Sequence, residues 1–213
     1  MKKYKELGIR DEQAMQLEIL RQFNELCKCE NIQYFAGYGT LLGAVREKGF
    51  IDWDDDIDLW MKRENICKFE SEFYNYFDKN KYFLQTYESD PDCLSPEMLR
   101  ICVNNTFKWD ENIGKENFHT GIYFDIFPLD YAFSDERDGE YITELAKRHS
   151  RLYSNLKYKW FKLNLKEKAK YIKNHLKSRK YLSKKVREIA DLYAKNTKSS
   201  IYICVPAATD GYE

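Results

Sequence analysis

Four aspartates within five residues, Asp54-Asp55-Asp56-Ile57-Asp58, constrain this chain more than any other feature of its sequence. The run leads into a stretch of alternating polarity, so it is predicted to open a strand. Side chains two residues apart on a strand share a face, and we expect Asp54, Asp56 and Asp58 to project together while Asp55 and Ile57 face away. Such close like charges repel unless a cation lies among them or one is protonated.

A divalent cation is one way to relieve this repulsion. Mg²⁺ takes hard oxygen ligands, usually one or two carboxylates, and completes its shell with water and phosphate oxygens. The run therefore predicts a site for Mg²⁺ or Mn²⁺, with Asp56 and Asp58 as ligands. The alternative is a solvated acidic loop after Trp53. That alternative accounts less well for a carboxylate pair flanked by Ile57 and Leu59.

A glycine-containing turn, Gly37-Tyr38-Gly39-Thr40, precedes the acidic run. It is predicted to join a strand to a helix. Glycine lets a backbone approach a ligand closely, and the first N–H groups of a helix can bind an anion. Such turns are common, and this one gains weight from its position before the carboxylates. Together they predict a nucleoside diphosphate site bridged by metal.

A third candidate carboxylate lies in the apolar segment of residues 121–130. An aspartate inside an apolar strand is costly to bury without a charge or a metal beside it. This favours Asp125 as the third carboxylate. The alternative is Asp130, which follows Pro128 and is equally suited to capping the next turn.

The hydrophobic pattern predicts an α/β (α+β) chain, in which strands with interspersed helices are followed by a mainly helical part. The first helix is expected to turn a stripe of side chains inward, namely Ala14, Leu17, Leu20, Phe23, Leu26 and Cys27. Helices are predicted over residues 11–30, 40–46 and 64–79, and strands over 32–36, 56–61, 82–87, 99–103 and 121–127, with turns at Pro91, Pro96 and Pro128.

The charge distribution divides the chain. Residues 1–134 carry 16 basic and 25 acidic side chains, whereas residues 135–200 carry 19 basic and 8 acidic ones. We predict a catalytic core over 1–134 and a basic helical region over 135–213 that packs on it. Within the latter, residues 157–187 are suited to peripheral contact with an anionic membrane or acceptor, or form a solvated lysine-rich face.

Other features exclude several classes of protein. No run of 18 apolar residues predicts a membrane span, so we expect a cytoplasmic protein, with the inner face of the membrane as a further possibility. The six cysteines lack the paired spacing of a zinc site, and the three histidines are scattered. No nucleic-acid-binding motif accompanies the basic region, and we expect no nucleic-acid partner.

Three blocks of sequence resemble the LicD family: Gly39-Thr40-Leu41-Leu42-Gly43-Ala44-Val45-Arg46 with Gly49-Phe50-Ile51, then Trp53-Asp54-Asp55-Asp56-Ile57-Asp58, and Asp125-Ile126-Phe127-Pro128-Leu129-Asp130. The resemblance covers residues from about 15 to 134. It implies a nucleotidyltransferase-like fold, with a mixed sheet core flanked by helices, and transfer of phosphocholine from CDP-choline to bacterial surface glycans. More distant relatives, fukutin and fukutin-related protein, transfer ribitol phosphate. Family members usually continue past the point matching residues 209–213, which suggests a truncated chain.

The resemblance also implies roles for individual residues. Gly39 and Thr40 match the family's phosphate-binding turn, Asp56 and Asp58 its metal-binding Asp-x-Asp, and Asp125, more loosely, its third carboxylate. Two metal ions among these aspartates are expected to clamp the pyrophosphate of a CDP-alcohol. A glycan or lipid-linked glycan hydroxyl then attacks in line, with Asp54 or Asp58 accepting its proton.

Two arginines are candidate phosphate contacts, because a guanidinium binds phosphate bidentately. Arg46 and Arg100 are equally suited to structural ion pairs. Choline requires aromatic or acidic neighbours, and the sequence offers Tyr38, Trp60 and Trp109 near the motifs.

Three rival functions stay open at this stage. One is a nucleotidyltransferase acting on a small molecule, and another is a metal-dependent glycosyltransferase using a sugar nucleotide. The third is a non-catalytic glycan-binding module. The short spacing between Thr40 and Asp56 argues against the glycosyltransferase, and the intact Asp56 and Asp58 argue against the binding module.

Overall fold

The computed structural model of the protein describes residues 5–91, 93, 98–108, 118–131 and 202–203, with seven separate positions between 165 and 188. Within these residues, no helix is both long and apolar enough to cross a membrane. The helices are α1 (Ile9–Cys29), α2 (Tyr38–Arg46) and α3 (Arg63–Tyr76), and the strands are β1 (Tyr34–Ala36), β2 (Asp58–Lys62), β3 (Tyr82–Gln85), β4 (Leu99–Val103), β5 (Tyr123–Tyr131) and β6 (Tyr202–Ile203).

The sheet is mixed, as the family resemblance implied. Its strand order is β1-β2-β5-β4-β3. β2 and β5 run parallel, whereas β1 with β2, β4 with β5, and β3 with β4 are antiparallel. A parallel pair needs a long crossover, and here the chain between β2 and β5 contains α3, β3 and β4. The motifs from β1 to β2 and the motif in β5 thereby become neighbours.

The chain divides into two compact units. The first comprises Met1–Gln85, Met98–Lys108 and Thr120–Leu129 and contains α1 to α3. The second comprises Thr86–Glu97, Trp109–His119 and Asp130–Glu213. In the second unit, β6 pairs antiparallel with the last two residues of β5. The predicted division at residue 134 stays a prediction, because most of residues 135–213, including most of 157–187, lie outside the described part of the chain.

The core of the first unit forms where α1 and α3 pack on one face of the sheet. Phe23 of α1 is fully buried, and its ring lies 4.8 Å from Tyr34, 5.2 Å from Phe69 and 5.2 Å from Phe124, measured between ring centroids. These rings join β1, α3 and β5 at one point. Burying a phenylalanine contributes about 1.5–3 kcal/mol, and edge-on ring pairs add to it.

The predicted inward stripe of α1 is wrong in its first half. Leu17 is 41% exposed and Ala14 is also exposed, whereas Gln13, Gln16 and Ile19 are buried. The first turns of α1 pack against a polar loop instead of the apolar core. Side chains that can donate hydrogen bonds are therefore buried there, and the apolar stripe begins one turn later.

The predicted turn at Pro128 is also wrong, because β5 continues through it. The backbone N–H of Asp125 points toward β2 and donates to the backbone oxygen of Ile57 (2.9 Å). Because N–H groups alternate in direction along a strand, those of the even-numbered residues of β5 point toward β4. β4 pairs with β5 only as far as Leu99 opposite Ile126. A proline at position 128 therefore removes no hydrogen bond of the β4 ladder.

The packing of α1 predicts losses of stability of different size for two neighbouring substitutions. Ile19→Ala should lower the free energy of unfolding by about 2–5 kcal/mol, because it opens a cavity at a fully buried site. Leu17→Ala should cost less than about 1 kcal/mol. Urea denaturation of the two variants measures both values. A larger loss for Leu17→Ala than for Ile19→Ala would contradict this packing and support the buried stripe predicted from the sequence.

Candidate active site

The first turn of α2 is bonded to the start of β2. The Gly37 N–H donates to the backbone carbonyl oxygen of Asp58 (2.9 Å), and the backbone N–H of Asp58 donates to the Thr40 hydroxyl oxygen (2.9 Å). Gly37 is the N-cap of α2. Asp58 therefore lies beside the N-terminus of a helix, whose unpaired N–H groups favour negative charge.

Gly39 permits a close approach of a second carboxylate to the same helix end. A Cβ atom at position 39 would collide with the Asp54 carboxylate, whose Cγ would lie only 3.1 Å away. A side chain at position 39 would therefore displace the Asp54 carboxylate from this place. The predicted turn brings Gly39 and Thr40 to the aspartates, with Thr40 holding the backbone of Asp58.

β2 begins at Asp58, two residues later than predicted. Residues 54–57, which we call the acidic loop, have no regular secondary structure, so strand alternation does not apply to them. Asp55 is exposed, Asp54 and Asp56 are half-buried, and Ile57 is buried.

Asp58, Asp125 and Arg100 form one row across three strands. Asp58 is the register partner of Asp125 on β5, which is in turn the partner of Arg100 on β4. Arg100 grips the Asp125 carboxylate with two hydrogen bonds, Nε to Oδ1 at 2.6 Å and a terminal nitrogen to Oδ2 at 2.9 Å. The Arg100 side chain is 19% exposed and the Asp125 side chain 9%. Burial lowers the pKa of Arg100, but the Asp125 carboxylate outweighs this and holds the pKa well above its ordinary value.

The carboxylates of the run perturb one another. The pKa of Asp58 is raised to about 7, first by burial and then by the charges of Asp56, Asp125 and Asp54. The pKa of Asp56 is raised to about 6, mainly by burial, although the Lys108 ammonium opposes the rise. A cation at this place would replace the protons that these two groups otherwise hold near neutral pH.

Lys108 fixes the acidic loop from the β4 side. Its Nζ lies 2.9 Å from Glu12 Oε1 and 3.0 Å from Asp55 Oδ2, and it donates to the Asp55 backbone oxygen (2.9 Å). It also lies 4.9 Å from the ring centroid of Tyr123. Asp55 is therefore turned toward Lys108.

Two buried glutamines of α1 bind the backbone of the acidic loop. Gln13 Nε2 donates to the backbone oxygen of Asp54 (2.8 Å). Gln16 Nε2 donates to the backbone oxygens of Asp55 (2.8 Å) and Tyr123 (3.1 Å). Sequence reasoning missed these residues and Lys108. The glutamines carried a signal, because they continue the three- and four-residue spacing of the buried stripe of α1. Lys108 carried none.

The remaining residues predicted for the site lie away from the aspartates or outside the described part of the chain. Arg46 lies at the opposite end of α2 from Thr40, where its Nε pairs with Glu47 (2.5 Å), and the structure does not bring it to the aspartates. Trp109 lies outside the described residues. Asp130 does not cap a turn, because it lies within β5 opposite Ile203. Of the two candidates for third carboxylate, only Asp125 is the register partner of Asp58.

The donor set fits a magnesium or manganese ion held jointly with a phosphate-bearing ligand. In the described part of the chain, no three His, Cys, Asp or Glu side chains already converge on a single metal position. Arg100 occupies both oxygens of Asp125, whose role as a ligand stays a prediction. Mg²⁺ needs only one or two protein carboxylates when water and phosphate complete its shell. Asp56 and Asp58 are the two carboxylates that would supply that pair.

Comparison with known proteins places the chain in a family. The model of the LicD/FKTN/FKRP nucleotidyltransferase domain matches residues 31–198, a range that includes every candidate site residue. The chain belongs to the LicD family. The resemblance drawn from the motifs is thereby confirmed.

The relatives of this LicD-family chain differ in how much of it they match. The lipopolysaccharide cholinephosphotransferase LicD of Haemophilus influenzae is 33% identical over 175 residues, which are 81% of this chain and 63% of the relative. An uncharacterised protein of Rickettsia typhi is 37% identical over 67 residues, 31% of this chain and 22% of the relative. Another, of Rickettsia prowazekii, is 39% identical over 66 residues, 30% of this chain and 24% of the relative. The chain therefore spans about three-fifths of the Haemophilus protein.

The raised pKa of Asp58 predicts how stability depends on pH. The folded state holds the Asp58 proton up to about pH 7, whereas the unfolded chain releases it near 3.8. Between these values the folded state binds more protons, so metal-free protein should lose stability as the pH rises. Thermal unfolding in EDTA at about pH 5.5 and about pH 7.5 measures the loss. Asp58→Asn should reduce the fall in melting temperature by at least about 2 °C, and an identical fall in both proteins would contradict the assignment.

The Arg100–Asp125 pair predicts a non-additive double mutant. Arg100→Met should cost about 3–5 kcal/mol, because it leaves a buried carboxylate uncompensated. Adding Asp125→Asn should recover a large part of that loss. Arg21→Met is the matched control, since it breaks an exposed pair with Glu18 and should cost less than about 1 kcal/mol. Denaturant titrations of these three variants and of Asp125→Asn alone measure these values. Additive losses would mean that the two side chains are independent.

Proposed function

We propose that this protein transfers a phospho-alcohol group, phosphocholine, from a CDP-alcohol to a hydroxyl group of a cell-surface glycan and releases CMP. Membership of the LicD family supports the reaction class. The printed name of the Haemophilus relative, a lipopolysaccharide cholinephosphotransferase, supports choline as the alcohol and a glycan as the acceptor.

One observation of the geometry carries the proposal. Asp56 and Asp58 are partly buried carboxylates with raised pKa values, and Asp58 is bonded directly to the N-terminal turn of α2. A helix N-terminus attracts phosphate, and paired carboxylates attract divalent metal. The two together suit a metal-bridged pyrophosphate better than either would alone.

Mg²⁺ or Mn²⁺ at Asp56 and Asp58 would neutralise charge on the pyrophosphate and on the oxygens that react. The N–H groups of the first turn of α2, around Gly39 and Thr40, hold the phosphates of the donor. The hydroxyl of Thr40 accepts a hydrogen bond from Asp58 and keeps its own hydrogen to donate.

The transfer forms one bond and breaks another. The acceptor oxygen attacks the phosphorus next to the alcohol, and the bond from that phosphorus to the bridging pyrophosphate oxygen breaks. CMP leaves with the electron pair of that bond, and its charge is stabilised at the N-terminus of α2. Asp54, held against Gly39, accepts the proton of the attacking hydroxyl.

The direct test is release of CMP. The full chain is incubated with Mg²⁺ or Mn²⁺ and lipopolysaccharide as the acceptor, with CDP-choline, CDP-ribitol or CDP-glycerol as the donor. We expect release from CDP-choline to exceed release from the other two. Asp56→Asn and Asp58→Asn should each lower it by at least about 100-fold, as when a group that stabilises transition-state charge is removed.

The matched control is Asp52→Asn, which neutralises an exposed aspartate just before the acidic loop. It should retain CMP release. Equal release by wild type, Asp56→Asn and Asp58→Asn would refute the assignment of the site. Incorporation of nucleotide into a small molecule, with release of pyrophosphate, would instead support the nucleotidyltransferase alternative.

A further inference from the structure

Three aromatic side chains, Tyr38, Trp60 and Phe127, form a cluster on the sheet face that carries Asp58. Trp60 and Phe127 are register partners on the neighbouring strands β2 and β5. Tyr38 meets both edge-on, with centroid distances of 5.4 Å to Trp60 and 5.6 Å to Phe127 and interplanar angles of 86° and 68°. We call these three side chains the aromatic cluster. They join α2, β2 and β5 at one point.

The cluster is held in place at a cost in backbone conformation. Tyr38 has a φ of 41°, in the left-handed region that bulky residues rarely adopt. Gly37 precedes it, and a Cβ atom there would lie 2.8 Å from Trp60 Nε1 and 2.9 Å from its Cε2. The indole therefore presses directly on the N-cap of α2. Such strain in the backbone often accompanies a binding site.

The aromatic cluster lies one row beyond the carboxylates. Asp58 precedes Trp60 by two residues on β2, and Asp125 precedes Phe127 by two residues on β5, so all four side chains project from the same face. Two residues of strand span about 6.6 Å. A group that has its phosphate at Asp58 therefore reaches the rings through a short chain of two carbons.

On the other side of the carboxylate row, the ring of Tyr123 already binds cations of the protein. The Arg100 guanidinium carbon lies 3.7 Å from its centroid and Lys108 Nζ 4.9 Å from it. The two sides of the row therefore differ in charge. The Tyr123 ring is already taken by two cations of the protein, whereas the aromatic cluster offers π surfaces, with Tyr38 42% exposed.

We propose that the aromatic cluster binds the trimethylammonium group of the donor and selects choline among CDP-alcohols. A quaternary ammonium has no N–H to donate, and proteins bind it through aromatic faces and nearby negative charge. The assignment rests on the proposed function, since it names the part of the site that holds the alcohol.

Binding of two donors that differ in charge alone tests the assignment. The probes are CDP-choline and the CDP ester of 3,3-dimethylbutanol, in which carbon replaces the choline nitrogen. Calorimetry with the full chain and Mg²⁺ should show wild type binding CDP-choline roughly 3- to 30-fold more tightly, the range expected for cation–π contacts.

Tyr38→Asn removes one ring without a penalty to the backbone, because asparagine adopts positive φ more readily than tyrosine. We expect this variant to keep its melting temperature and to bind the two probes within about twofold of each other. Trp60→Phe keeps a ring and should retain most of the preference. Tyr74→Asn makes the same substitution at an exposed tyrosine of α3 and should leave the preference unchanged.

The outcomes separate this proposal from the proposed function. Equal binding of both probes by wild type, or an unchanged preference in Tyr38→Asn, overturns the aromatic cluster as the choline site, even where CMP release from CDP-choline persists. Absence of both CDP-choline binding and CMP release overturns the two proposals together. Preference for choline that is lost in Tyr38→Asn and kept in Tyr74→Asn supports the assignment.

Discussion

Repulsion among the carboxylates of Asp54, Asp56, Asp58 and Asp125 is the interaction that the first unit of this protein must balance. The Asp54 carboxylate faces Gly39 in the first turn of α2, and Asp58 is tied to the same turn through its backbone N–H. Asp125 is neutralised by an arginine of β4. The acidic loop is further tied down through its backbone by α1 and through Asp55 by a lysine. The helices and strands around the site thus serve to hold negative charge at a fixed place.

The two faces of the sheet divide this work. One face is covered by α1 and α3, and its phenylalanine contacts supply hydrophobic stabilisation. The other presents successive rows of side chains around the register pair Asp58–Asp125, with Tyr123 on one side and Trp60 and Phe127 on the other. A site of this kind requires a rigid sheet, because register alone sets the distances between rows.

The sequence predicted most of the helices and strands, because hydrophobic periodicity and turn residues are local signals. The mixed arrangement of the strands followed from the family resemblance. It also identified the aspartates and the glycine turn, because their residue types alone indicate which ligands they can bind. It could not predict that Arg100 would pair with Asp125, since that contact depends on the register between two strands. It predicted the wrong buried face for the first half of α1. Gln13 and Gln16 are buried there because they donate to backbone oxygens of the acidic loop, and the sequence of α1 alone does not show that this loop packs against them. Pro128 was misread because its cost depends on where the neighbouring strand begins.

The pairing of Arg100 with Asp125 separates the carboxylates into two classes. Asp125 has a counter-ion that the chain itself encodes, so its neutralisation does not vary with the ionic composition of the surroundings. Asp56 and Asp58 depend on protons or on ions from solution. Under the proposed function, in which a metal ion binds Asp56 and Asp58, chelation would loosen the acidic loop and leave the join between β4 and β5 intact. The sheet would then stay folded when the metal is removed.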